Sequence, residues 1–291
     1  MKNKETALGR ALTLHFFLSL TVSLMLPFLN GTGAASEIYT LVFTAVRYLI
    51  PIVYYRRATA YTPFVSPISE KYAEKKHSFF GSATTLIFSV TVTVVALNSV
   101  GALGDLFLSL FGEPPTASDA ITENNAVFVL IKSVIFASFF EEMLFRGAVL
   151  HALSDRKPAI RILISATFFA LMHCNVLQFF YAFTTGAIIS FFAVMHNSLA
   201  LAAVIHLCAN LVTFILSLLR GTLSEGHFKT VSVLTFVTFT LLAVLFSVPY
   251  FLKICKKNTE QGETKADAVP KEMWIYVLVT AAFTAIGAFT G

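Results

Sequence analysis

Apolar residues recur in nine blocks along the chain, at about 11–29, 38–55, 79–111, 126–153, 158–173, 177–195, 199–219, 231–252 and 273–289. Most are of about 18 residues or more, enough for a helix to cross the roughly 30 Å hydrocarbon layer of a membrane. Short polar interruptions separate them. Asn30-Gly31 closes the first, Arg56-Arg57 the second, Asp155-Arg156-Lys157 the fourth and His196-Asn197-Ser198 the sixth. The third block is longer than one crossing needs, and Gly101 and Gly104 mark an expected break. The pattern predicts an all-α fold, a polytopic transmembrane helical bundle of about eight to nine spans. It forms one integral membrane domain over 1–291, with a polar linker at 253–272 leading to a last helix.

Composition and charge sharpen this picture. Hydrophobic residues make up 56% of the 291 and charged residues only 13%, with 30 Phe. That balance excludes a soluble globular chain. The formal net charge of +5 is read as topology, because Lys and Arg gather at the ends of the apolar blocks. Placing the N-terminus in the cytoplasm puts nearly every basic cluster on one side, with Arg220 and Lys229 departing from the rule. No basic patch interleaved with aromatics occurs, so nucleic acid is not an expected partner. Lys2, Lys4 and Arg10 precede the first apolar block, which is read as a retained helix rather than a cleaved signal. Cys174, Cys208 and Cys255 show no CxxC spacing and read as packing thiols. Compact loops and the absence of organelle signals point to a prokaryotic cell membrane.

Against this apolar background, Phe139-Phe140-Glu141-Glu142-Met143-Leu144-Phe145-Arg146 stands out. A charge at bilayer depth costs roughly 2.5–3.5 kcal/mol on insertion scales. Glu142 and Arg146 are i,i+4 neighbours and can neutralise each other. Glu141 is rotated about 100° away on an α-helix and has no partner on its own helix, which makes it the candidate acid or base. His173 ends the stretch after Phe169, and His206 lies four before Asn210, on one helix face. Counting about 1.5 Å per residue from the charged turn at 155–158, Glu141 and His173 both lie near 21–22 Å. His206 comes out shallower. Taken singly, each histidine is an ordinary interhelical hydrogen-bond partner, and His15, Arg47 and Lys132 read as packing or snorkelling residues. His151 and His196 fall at helix ends. It is the joint occurrence of Glu, two His and Asn on three helices that points to chemistry. A water activated by Glu and His, or a zinc ion held by Glu141, His173 and His206, could both use the set. The HExxH helix of soluble zinc proteases is absent.

Glu141-Glu142-x-x-x-Arg146, Phe169-x-x-x-His173 and His206-x-x-x-Asn210 together resemble the three motifs of the CAAX-protease and bacteriocin-processing (Abi) family, over about 126–219. The resemblance implies an intramembrane endopeptidase acting on a membrane-associated protein or peptide substrate, with lipidated (prenylated CAAX-type) substrates among those it allows. It implies Glu141 and His173 as water activators, His206 and Asn210 as oxyanion donors, and Glu142 and Arg146 as support. The family carries a metalloprotease label, so zinc stays open as a cofactor. A non-catalytic transporter or self-immunity scaffold is the alternative reading, although no inverted repeat is visible.

Overall fold

The computed structural model describes residues 4–29, 34–69, 83–109 and 126–255. The ninth apolar block and most of the 253–272 linker lie outside them. Eight helices follow the first eight blocks: α1 (Lys4–Leu29), α2 (Ala34–Thr59), α3 (Ala83–Ser109), α4 (126–152), α5 (Pro158–Leu171), α6 (Val176–His196), α7 (Leu199–Thr222) and α8 (Glu225–Cys255). No strand occurs among the described residues. The expected break in the third block is not there, since α3 runs unbroken through Gly101 and Gly104. In an apolar setting an unbroken helix keeps its own backbone groups paired, which outweighs the modest glycine penalty.

Among the described residues, six helices are long and apolar enough to span a membrane. α5 is a shorter apolar helix of 14 residues, about 21 Å at 1.5 Å per residue, and alone falls short of the roughly 30 Å layer. Pro158 opens it at the charged turn, where a missing N–H costs nothing. Its other end therefore stops part-way through the bundle. The outward surface is apolar, and α8 shows it most plainly, with Leu241, Val244 and Leu245 each about two-thirds exposed. So large an apolar face is one that lipid covers.

Two packed groups make up the interior. One joins α1, α2, α4 and α5 through Leu8, Leu12, Tyr48, Phe145 and Phe169. The other joins α3, α6, α7 and α8 through Phe88, Phe192, Leu201 and Tyr250. α4 lies against both. At one end of the bundle, Glu5 of α1 pairs with Arg156 at 2.8 Å and Lys4 donates to Ser154. Tyr55 at the end of α2 meets His151 at 2.9 Å, and Tyr61 stacks on the same ring. The start of α1, the end of α2 and the α4–α5 turn thus share one face, which is why their basic residues group together.

α4 is an unusual element. After one α-helical turn (Ala126–Val129), it is π-helical over Leu130–Glu141 and again over Met143–Val149, before ending as α-helix at Leu150–Ala152. Hydrogen bonds closing five residues back are rare and occur mostly as single turns near functional sites. Here they flank Glu142 on both sides. A wider helix turns through a smaller angle per residue, so the side chains of Glu141 and Glu142 diverge less than an α-helix would impose.

Candidate active site

Glu142 and Arg146 are both fully buried, with Arg146 Nη1 donating to Glu142 Oε1 at 2.8 Å. Arg146 also donates to Ser190 Oγ at 3.3 Å and Gly186 O at 3.2 Å, and its guanidinium lies 4.2 Å from the Phe169 ring centroid. Ser190 donates to Ser165, which donates to Phe145 O. One buried charge therefore has acceptors on α4 and α6, and through Ser190 its network runs on to α5. A desolvated guanidinium requires this. The carboxylate has a second partner on another helix: His206 Nδ1 lies 2.8 Å from the same Glu142 Oε1. A carboxylate only accepts, so Nδ1 carries the proton.

The other ring nitrogen of His206, Nε2, faces Glu141 at 3.9 Å from Oε2. The shallow level expected for His206 is corrected by the packing of α7. Leu199, its first residue, lies beside Gly147 of α4. From that shared level His206 is seven residues along and Glu141 six residues back, so the two antiparallel helices bring them to one depth. The turn before α7 is held below the loop that follows α2, because Asn197 exchanges hydrogen bonds with Ser69 at 2.9 and 3.1 Å. Asn197 sits in the left-handed region, φ 49°, and Ser198 caps α7 by accepting from Leu201 N.

Glu141 is not without a partner, as its own helix suggested. Tyr48 of α2 donates to its Oε1 at 3.1 Å. Nothing in the sequence distinguishes Tyr48 from the other eight tyrosines, since its role depends on how α2 packs against α4. The His15 ring packs against Tyr48 at a tilt of 39°, with centroids 4.7 Å apart. His173 lies just past the end of α5, its Nδ1 2.9 Å from Phe169 O. That carbonyl accepts, so Nδ1 is protonated and Nε2 is left with its lone pair. The next residue, Cys174, has φ 48°, a strained backbone for a side chain other than Gly, Asn or Asp. α5 ends here in a tight turn, and the bond to Phe169 O orients His173. Cys174 and Cys208 remain thiols. Asn210 gives one amide N–H to Ser133 O at 2.8 Å.

Glu141, His173, His206 and Asn210 line one cavity of about 510 Å³, together with Arg47 and Lys132. Structural zinc sites use four ligands and catalytic ones three from the protein. Among the described residues, no three His, Cys, Asp or Glu side chains come together to hold a metal ion, and Glu141, His173 and His206 share the cavity without making such a set. The residues present do not fit a zinc site.

No curated protein and no solved structure matches the chain. Residues 123–212 match the family described as type II CAAX prenyl endopeptidase Rce1-like. The match covers α4 through the first half of α7, and thus all three motif positions. With its cavity-lining glutamate, histidines and asparagine, the motif-bearing segment of this helical membrane protein is similar to the Rce1-like family.

Proposed function

We propose that the chain is an intramembrane endopeptidase that hydrolyses a peptide bond of a membrane-associated, lipid-modified protein or peptide. The observation that carries this is the meeting of Glu141 and His206, 3.9 Å apart in the cavity that His173 and Asn210 also line. Glu141 takes a proton from a water held between it and His173 Nε2, and the hydroxide forms a bond to the scissile carbonyl carbon. Negative charge then develops on the carbonyl oxygen. Asn210 retains one amide N–H for it, and His206 donates from Nε2 when its ring is doubly protonated. Glu142, bonded to Nδ1, holds the ring with Nε2 turned to the cavity. Collapse breaks the C–N bond, and the proton held by Glu141 passes to the departing amine. The water and its proton are thus both accounted for.

Peptide cleavage by purified protein in detergent, followed by mass spectrometry, tests the reading. Glu141→Gln keeps the shape and can still accept from Tyr48, so the protein should fold while turnover falls by about 10²–10⁴-fold, the range typical of a lost general base. Near-normal turnover in that variant would remove Glu141 from the chemistry.

A further inference from the structure

We propose that the groove between α1 and α2 binds one anionic phospholipid, with an acyl chain along its apolar wall and the phosphate on Arg57. The groove is remote from the Glu141 chemistry and has a volume of about 470 Å³, within the range of ligand sites. Leu14 of α1 and Leu49, Ile50, Val53 and Tyr54 of α2 line it together with Arg57. Leu49, Val53 and Arg57 recur every four residues on one face of α2. A strip about 12 Å long thus leads from apolar side chains to a cation. Leu49, Ile50 and Val53 are all exposed, so in a bilayer it is lipid that covers them. Arg57 lies at the end of the bundle that also carries Lys4, Arg56 and Arg156.

Nothing within the two helices answers the charge of Arg57. The acidic residue of α1, Glu5, is bonded to Arg156, and that of α2, Glu37, stands at the opposite end of its helix. Among the described residues Arg57 forms no ion pair, whereas Arg146, Arg156 and Lys229 all do. Arg10, also exposed, precedes Leu14 by four residues on the same face of α1 and adds a second cation at this end. The occupant must therefore carry an apolar chain with an anion at its head. A phospholipid offers both at this depth, and a guanidinium pairs with phosphate through two parallel hydrogen bonds. Basic pockets between membrane helices hold anionic headgroups in the same way. The apolar face of α8 has no such feature, since no charged residue occurs between Val231 and Leu252.

The test uses full-length protein in which Trp274, its one tryptophan, is replaced by Phe and a reporter is placed in the groove, Ile50→Trp. It is reconstituted in vesicles of phosphatidylcholine and phosphatidylglycerol, one of which carries brominated chains that quench a tryptophan on contact. Quenching across mixtures gives the affinity of the anionic lipid relative to phosphatidylcholine at that position. A preference of about fivefold is expected, the contribution of one basic side chain near an anionic headgroup. Arg57→Gln should bring the two lipids within about twofold, and Arg57→Lys should keep most of the preference. A reporter on α8, Val244→Trp, should show no preference. Val53→Trp serves if Ile50→Trp does not fold. A ratio near one in the groove, an equal ratio on α8, or a ratio unmoved by Arg57→Gln overturns the proposal. So does loss of the preference on adding inorganic phosphate, because the cation then holds a free anion. Displacement of the quencher by an S-farnesylated peptide overturns it too, as the groove then belongs to a substrate.

Discussion

His206 Nδ1 and Glu142 Oε1 lie 2.8 Å apart, and the same oxygen accepts from Arg146. Glu142 thereby joins α4 to α7 as well as neutralising its own helix, and its second oxygen is buried with no partner. The carboxylate that spacing alone assigned to a local ion pair also orients a histidine of the cavity. Glu142→Gln should therefore lower kcat about 10–100-fold with little change in KM, since it disturbs a donor that acts only as the oxyanion forms. Arg146→Ala should act instead on the fold. Losing one partner of a fully buried pair costs about 3–5 kcal/mol, read as a lower unfolding midpoint in detergent. If Glu142→Gln instead raises KM alone, the link to His206 carries no weight in the chemistry.

Tyr48→Phe removes one hydroxyl from Glu141 and leaves the ring contacts with His15 and Phe140 in place. A lost hydrogen bond to a charged group is worth roughly 1.5–3 kcal/mol. Part of that should appear as a fall in kcat, as Glu141 loses its fixed orientation. Side-by-side kinetics and thermal unfolding of the two proteins separate the effects. Unchanged values of both would make the contact incidental.

Chelation supplies a third check. Because no three ligating side chains converge, prolonged treatment with a strong chelator should leave activity intact in protein shown by elemental analysis to be metal-free. Loss of activity that only added zinc restores would require the site to rearrange into a ligand set.

Gly186 of α6 is a packing prediction. A Cβ there would lie 3.0 Å from Phe169 Cδ1, 3.2 Å from Arg146 Nη2 and 3.4 Å from the Ala166 backbone. Gly186→Ala should destabilise by about 1–3 kcal/mol, as overpacking does, and should displace the guanidinium that bonds to Gly186 O. A stability equal to wild type would show that α5 and α6 part easily here.

What the sequence by itself determined is what depends on neighbours along the chain. Runs of apolar residues set the helices, because a backbone in lipid must satisfy its own hydrogen bonds. Polar and charged turns set where they end, and i,i+4 spacing set the Glu142–Arg146 pair. Three short motifs were enough to single out three of the helices that line the cavity. Tertiary structure decided the rest. Arg47 and Lys132 reach the cavity, and Tyr48 reaches Glu141, only because of how α2 and α4 pack, and nothing local separates them from other residues of their types. The depth of His206 follows from the turn at Asn197 being held by Ser69, a contact across 128 positions. Both glutamates approach one imidazole from a helix wound largely as π-helix, and no residue pattern announces that winding. Contacts between distant segments depend on the shapes of two surfaces at once, and a sequence read along one strand of chain describes only one of them at a time.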